Sequence, residues 1–275
     1  MIWTRRGRVL TYLAMTAGVV IVLFPYYWLT VMASNTTSEI YASPPRLTFG
    51  GQLAHNIGQV FAKVDFFGSL LNTVLVAVAT TALVLFFDSL AAFTFAKYRF
   101  PGSSALFAVL LATFVVPTQL AAIPQFAIMA DFGWVGSLKA LVIPAAANAF
   151  GIFWMRQYCQ GALPDELLEA ARMDGCGFFR TYRSVALPVL RPALAFLGIF
   201  TFVTAWNDYL WPLVVLIDSN HVTLQVALAQ LNTVYVKDYS VVMAGTLVAV
   251  VPLLVAFLFG ARHFVRNIAA GALKG

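Results

Sequence analysis

A polar segment from Leu167 to Pro188 stands out in this sequence, because it groups charged and strongly polar side chains that could make specific contacts. The segment reads LLEAARMDGCGFFRTYRSVALP and stands between two strongly apolar stretches, in a chain that is 61% hydrophobic and only 10% charged. Its carboxylates and guanidinium groups suit polar contacts with a partner. We find no nucleophile, base and orienting acid that converge on one face. The segment therefore predicts an amphipathic element that either lies on the lipid surface or docks into a groove of a partner, and the acidic residues Asp165 and Glu166 just before it favour the partner.

Two isolated polar positions lie inside the apolar stretches. An intramembrane carboxyl group such as Asp88 binds substrate, relays protons or pairs with a neighbouring helix, and these alternatives stay open. Gln119 lies between Pro117 and Pro124. A helix broken by these prolines lines a transport pathway, or the prolines make a simple packing kink.

The stretch WNDYLW carries a further candidate set. Polar and aromatic side chains at this spacing suit hydrogen bonds to sugar hydroxyls and flat contacts with sugar rings, or else an interfacial aromatic belt. The pathway candidates here are Asn207, Asp208, Tyr209 and Trp211.

Metal and nucleotide chemistry have no support in the sequence. His55, His221 and His263 are far apart, and Cys159 and Cys176 make neither a disulfide framework nor a metal-ligand set. The chain has no GxxxxGK[ST] phosphate loop. We expect no cofactor on this chain and predict that it is not an enzyme.

Membrane-spanning helices are the elements that must position these residues. The chain of 275 residues has too few charges to coat a globule. A span needs about 20 apolar residues in helical form, because lipid satisfies no backbone groups. We predict an all-α polytopic membrane protein, a single transmembrane domain over 1–275, with six spans at about 9–32, 70–96, 105–129, 138–155, 192–216 and 241–259.

The basic residues predict the orientation of these spans. Six spans place both termini on one side, and all but four of the 17 Lys and Arg residues fall on that side. The four exceptions are Arg46, Lys63, Lys139 and Lys237. The positive-inside rule then predicts that both termini and the polar segment are cytoplasmic.

The polar segment is predicted to form two short helices with a bend at Gly175, where glycine permits the left-handed conformation that ends a helix. Pro164 suits the first turn of the first helix. The second helix is expected from about Phe178 to Val185, with Pro188 opening the next span. The apolar face of the first helix is expected to hold Leu163, Leu167, Ala170 and Ala171. The opposite face is expected to hold Asp165, Glu169 and Arg172.

This loop, residues 158–188, resembles the EAA loop of ABC importer permeases. The matching positions are Glu169-Ala170-Ala171, Gly175, Val185 and Leu187-Pro188, and the family often has isoleucine where Val185 stands. WNDYLWPLVV and the tail NIAAGALKG are similar to the carbohydrate branch, in particular to the smaller permease subunit of maltose-type importers.

The resemblance implies a bacterial inner-membrane assembly. Its other parts would be a second homologous permease chain, an extracytoplasmic solute-binding protein and a cytoplasmic ATPase dimer that holds ATP and Mg, with no nucleic acid. ATPase coupling would fall to Glu169, Ala170, Ala171, Asp174, Gly175, Leu187 and Pro188. ATPase contact by the tail would fall to Gly271, Lys274 and Gly275. The alternative is that these residues merely shape a cytoplasmic loop.

We therefore expect a permease subunit of an ATP-driven, binding-protein-dependent importer of a sugar or oligosaccharide. A glycerol-phosphate importer of the same family is the alternative. A second alternative, from a different class of transport protein, is a proton-coupled secondary transporter that uses Asp88.

Overall fold

The structure is all-helical over the residues it describes, which confirms the predicted fold class. This computed structural model describes the backbone of residues 5–217, 221–232 and 238–272, and the side chains of 7–117, 119–217, 221–232 and 238–255. Within these ranges there is no strand, and the α-helices are α1 Arg5–Ser34, α2 Thr37–Ile40, α3 Leu53–Lys63, α4 Phe66–Lys97, α5 Ser103–Val115, α6 Ala122–Asp131, α7 Lys139–Val142, α8 Ala149–Ala162, α9 Asp165–Met173, α10 Phe178–Thr181, α11 Leu187–Asn207, α12 Leu210–Val215, α13 Leu224–Gln230 and α14 Tyr239–Ala272. A 3-10 helix spans Thr118–Ala121 and a π-helical turn spans Tyr182–Ala186.

Several of these helices are long and apolar enough to cross a membrane. Among the described residues, they are Gly7–Ser34, Phe66–Lys97 and Phe178–Asn207. Ser103–Val115 and Gln119–Asp131 form a pair bent by 92°, which makes a fourth if the pair is one span. Tyr239–Val255 is a shorter apolar helix. The chain is thus a multi-pass membrane protein, and the count of six spans stays a prediction.

Two compact units can be distinguished, and each is built on its own contacts. The first comprises the residues up to Phe66 together with Ala227–Pro252. The second comprises Phe67–Val226 together with the residues from Leu253 onwards, and it contains the polar segment.

Side-chain hydrogen bonds hold the first unit together at one end of α1. Asn56 in α3 donates from Nδ2 to the carbonyl oxygens of Ala33 and Asn35, at 2.9 and 3.1 Å. Asp238, just before α14, accepts hydrogen bonds at Oδ1 from the hydroxyls of Thr37 and Ser240, at 2.7 and 2.6 Å. Burial acts to raise the pKa of Asp238, but these hydrogen bonds outweigh it and hold the pKa below its ordinary value.

Proline separates α5 from α6. Val116 is extended (φ −75°, ψ 120°), since the ring of Pro117 disfavours helical geometry in the preceding residue. Pro124 is tolerated because it lies in the first turn of α6. The predicted interruption between 105 and 129 is therefore a true break in the helix.

The stretch predicted as one span over 138–155 is two helices in the structure. Helix α7 ends at Val142 because Pro144 has no amide hydrogen to continue it. Asn148 is extended and begins α8 by accepting the amide hydrogen of Gly151 at Oδ1, at 2.8 Å.

The stretch predicted as a span over 192–216 also differs. The helix starts far earlier, at Phe178, and ends at Asn207, where Asp208 is extended and separates α11 from α12. The second short helix of the polar segment is therefore continuous with a span. Leu187 donates its amide hydrogen to the carbonyl oxygen of Tyr182, five residues back, and this π turn absorbs Pro188 without breaking the helix.

One hydrophobic core holds the second unit's helices α4, α8, α9, α10 and α11 together. Its buried members are Val84, Ala92, Phe93, Met155, Cys159, Leu163, Leu168, Tyr182, Ala186, Leu190, Ala193 and Leu197. This core extends under the polar segment, so the segment is attached to the spans by packing.

Candidate functional site

Helix α9 presents two unlike faces. Leu168 and Ala171 are only 3% and 5% exposed, and Leu168 belongs to the core of the second unit. Leu167 is 44% and Met173 88% exposed, and Ala170 is exposed as well. The predicted apolar face of Leu163, Leu167, Ala170 and Ala171 is therefore wrong in part, since Leu167 and Ala170 point outward.

The error has a simple physical origin. Leu163 lies before the first residue of α9, so it does not share the phase of that helix. Leu168 and Ala171 are three residues apart and stand on one side of the helix, which is the spacing of neighbours on a helical face. Because Leu167 and Leu168 are both leucine, hydrophobicity alone does not choose between them.

Burial of Leu168 does most to hold α9 in place. Removing a leucine side chain from water contributes about 1.5–3 kcal/mol. The ion pair between Lys97 Nζ and Asp165 Oδ1, at 2.7 Å, adds orientation. Its contribution is small because solvent screens the exposed carboxylate. The hydrogen bond from Lys97 and its charge lower the pKa of Asp165.

The bend after α9 has the geometry that the sequence predicts. Gly175 has φ = 72°, the left-handed conformation. Its amide donates to the Arg172 carbonyl at 3.0 Å, and the amide of Cys176 donates to the Ala171 carbonyl at 2.9 Å. This pair of bonds is the Schellman motif, with Asp174 as the last residue before the turn. The bend is thus a defined corner.

Helices α9 and α10 and the bend at Gly175 form a hairpin, and its second arm, α10, is anchored through aromatic rings. Phe93 in α4 is fully buried, and its ring centroid lies 5.6 Å from that of Phe178 and 5.7 Å from that of Tyr182. The Tyr182 hydroxyl shares a hydrogen bond of 2.6 Å with Ser89 Oγ. Both arms of the hairpin, α9 and α10, are therefore attached to α4.

Leu187 and Pro188 connect the hairpin to its span. Leu187 packs, partly buried, against the core, while Pro188 is exposed in the first turn of α11. The helix continues from α10 through the π turn into α11 without a break.

The outer side of the hairpin is open. Glu169 and Ala170 are exposed, and so are three apolar side chains of α9 and α10, namely Leu167, Met173 and Phe179 at 44, 88 and 69%. Exposed apolar groups rimmed by charges are typical of a surface that receives a partner. We call this set of five residues the outer face of the hairpin.

The pathway candidates of the WNDYLW stretch are divided by the structure. Asn207 is exposed and donates from Nδ2 to its own helix, at the Val203 carbonyl. Asp208 and the exposed Tyr209 form the break after α11. Trp211 instead donates from Nε1 to the Ala140 carbonyl at 3.0 Å and packs on a small core with α7. The donor of Trp211 is therefore used within the fold.

The remaining candidates lie elsewhere. Gln119 is exposed in the 3-10 helix between α5 and α6. Asp88 is fully buried in α4 and accepts the amide hydrogen of Asn148 at Oδ1, 3.1 Å away. Of the tail, Gly271 lies in α14, while Lys274 and Gly275 lie outside the described residues.

Several residues that anchor the hairpin could not be identified from the sequence alone. Leu168, Phe93 and the pair of Ser89 with Tyr182 carry no motif, since they are recognisable only through contacts between distant segments. Met173 and Phe179 have one available signal, because they are large apolar residues inside a charged segment.

Comparison with known proteins identifies the family. Residues 88–269 match the family described as binding-protein-dependent transport system inner membrane component. The chain is 34% identical to the lactose transport system permease protein LacG of Rhizobium radiobacter, over 97% of this chain and 96% of that protein. It is 31% identical to the sn-glycerol-3-phosphate transport system permease protein UgpE of Yersinia pestis, over 98% of both.

Another relative and a solved structure agree. The arabinooligosaccharides transport system permease protein AraQ of Halalkalibacterium halodurans is 30% identical over 93% of this chain and 92% of its own length. The fold matches a chain in the crystal structure of a bacterial ABC transporter involved in the import of the acidic polysaccharide alginate, with a TM-score of 0.77, 23% identity and coverage of 96% of this chain and 99% of that one. These relatives are transport subunits, as predicted for a chain that is not an enzyme. The chain belongs to the family of inner membrane components of binding-protein-dependent transport systems.

Proposed function

We propose that this chain is the permease subunit of an ATP-driven sugar or oligosaccharide importer, and that an ATPase on another chain acts on its α9–α10 hairpin. The observation that carries the proposal is the two-sided construction of the hairpin. Leu168 and Phe178 fix its inner side to the core that contains α4 and α11. The outer face exposes Leu167 and Met173.

The proposed mechanism is mechanical. The ATPase dimer closes when it binds ATP, and this motion displaces the outer face of the hairpin. Because α10 is continuous with α11, the displacement reaches the span directly. The spans then exchange between inward-open and outward-open states. Nucleotide and the loaded binding protein bias this equilibrium from opposite sides of the membrane.

Individual residues would divide this task. Exposed Glu169 makes a polar contact with the ATPase, and exposed Ala170 permits close approach. Buried Ala171 lets α9 pack closely on its own core. Gly175 sets the angle between the two arms.

The partners follow from the same proposal. A second homologous permease would complete the pathway, an ATPase dimer would hold ATP and Mg, and an extracytoplasmic binding protein would deliver the solute. Both termini would be cytoplasmic, because six spans would place most Lys and Arg residues on the side of the termini. The tail with Gly271, Lys274 and Gly275 would reach the ATPase.

A neutral sugar suits the pathway candidates better than glycerol phosphate. Asp208 lies between Asn207 and Tyr209 at the break after α11. A carboxylate there would repel the phosphate of an anionic solute, while amide and phenol groups bond well to hydroxyls. The name of the relative UgpE keeps glycerol phosphate as the second candidate.

Uptake into proteoliposomes tests the proposal. The chain is reconstituted with its partner permease, ATPase and binding protein, and labelled sugar uptake is measured with ATP, without ATP, and with a catalytically inactive ATPase. We expect uptake only with active ATPase, ATP and binding protein. Uptake that persists without ATP but collapses when the proton gradient is dissipated would instead support the secondary transporter.

A further inference from the structure

The carboxyl group of Asp88 is buried where α4 meets the start of α8, and the outer face of the hairpin does not include it. Asp88 is 0% exposed, and its Oδ1 accepts the amide hydrogen of Asn148 at 3.1 Å. Asn148 in turn accepts the amide hydrogen of Gly151 at Oδ1. One hydrogen bond therefore joins α4 to Asn148, the residue that caps α8, and the second bond holds that cap on the first turn of α8.

The packing around this carboxyl group is tight. A β-carbon at Gly151 would lie 1.9 Å from Oδ2 of Asp88, which no real contact allows. Only glycine at position 151 leaves room for the carboxyl group in this place. The joint between α4 and α8 thus depends on a matched pair, the acidic side chain on one helix and the glycine on the other.

Helix α4 carries two further polar anchors on the way to the hairpin. Ser89 bonds to Tyr182 in the π turn, and Lys97 pairs with Asp165 at the start of α9. From Asp88 to Lys97 the helix rises about 14 Å. One stretch of α4 therefore bonds to the cap of α8, to the π turn and to the first turn of α9.

We propose that Asp88 is a positioning residue, because its carboxyl group fixes the start of α8 to α4. When the α9–α10 hairpin is displaced, α4 and the start of α8 then move together and do not shift against each other. This inference rests on the proposed function. The bond from Asn148 requires an acceptor at Oδ1 and no particular charge. The proposal therefore predicts that asparagine serves in place of Asp88 and that leucine does not.

The experiment measures solute imported per ATP hydrolysed in the reconstituted complex. Asp88→Leu is expected to lower this ratio about tenfold, while Asp88→Asn stays within about twofold of the wild type. Thr94→Val is the matched control, because the Thr94 hydroxyl bonds only to the Leu90 carbonyl of its own helix among the described residues. An unchanged ratio for Asp88→Leu overturns the proposal, and so does an equal loss for leucine and asparagine.

A second variant covers the case in which Asp88→Leu fails to assemble. Gly151→Ala keeps the acid but drives a methyl group against Oδ2, and an equivalent loss of the transport ratio is expected. A wild-type ratio for Gly151→Ala contradicts the proposal.

A distance measurement separates this inference from the proposed function. Spin labels at exposed Phe86 and Ala145 report on α4 and on the segment before α8. We expect one narrow distance distribution for the wild type and Asp88→Asn in the assembled complex, and one at least twice as wide for Asp88→Leu. Absence of ATP-driven uptake by the wild type would contradict the proposed function alone. Distance distributions of equal width in the wild type and Asp88→Leu would contradict the inference alone.

Discussion

Replacing Gly175 with alanine is the sharpest perturbation of the hairpin. A β-carbon at this position would meet nothing within 4 Å, so the whole cost is conformational. An L-residue in the left-handed region costs roughly 1–2 kcal/mol. The population of the bent form relative to other conformations of the corner then falls by a factor of roughly 5–30. The apparent affinity of the hairpin for the ATPase is expected to fall by up to that factor.

Gly177 is the matched control, two residues away in the same loop. It has φ = −71° and ψ = 171°, which any residue adopts, and a β-carbon there also meets open space. We expect Gly175→Ala to lower copurification of the ATPase and sugar uptake, and Gly177→Ala to leave both unchanged. Gly175→Asn should fall between them, because asparagine tolerates the left-handed region better than alanine. Equal behaviour of the two alanine variants would refute the reasoning.

Three further predictions concern two leucines of α9 and the carboxylate just before α14. Leu168→Ala is expected to destabilise the protein by about 2–5 kcal/mol, because it opens a cavity in the core; thermal unfolding in detergent measures this, and a loss below 1 kcal/mol would contradict the burial. Leu167→Ala should keep the melting temperature and weaken ATPase copurification, and the reverse pattern would contradict its outward position. Asp238→Asn should be less stable than the wild type at pH 7, and the difference in stability should vanish as the pH falls below about 4. The reason is that a carboxyl group with a lowered pKa gives stability that is lost when the carboxylate is protonated. A difference in stability that persists in acid would contradict this prediction.

Sequence patterns correctly predicted those features of the backbone that depend only on neighbouring residues. Gly175 was expected to be left-handed, and it is, because a glycine after an amphipathic stretch is the usual way to end a helix. Pro117 was expected to interrupt its helix, and the extended Val116 before it shows that it does. Neither result needs a contact with a distant part of the chain.

Tertiary contacts decided the rest. Hydrophobicity over 138–155 averages across Pro144 and Asn148, so it does not reveal that two helices meet there. The orientation of α9 depends on which of two adjacent leucines packs into the core, and in the structure Leu168 is the one that does. Phe93 packs against Phe178 across 85 positions of the sequence, and no local pattern indicates that pairing.

The central claim is that another chain pushes on the outer face of a hairpin anchored to the spans. A photoreactive amino acid at Met173, which is 88% exposed, tests it most directly in the assembled transporter. We expect a crosslink to the ATPase, with a yield that changes when ATP is added. A crosslink to lipid or to the binding protein, or a yield that is the same with and without nucleotide, would contradict the claim that the ATPase pushes on this face.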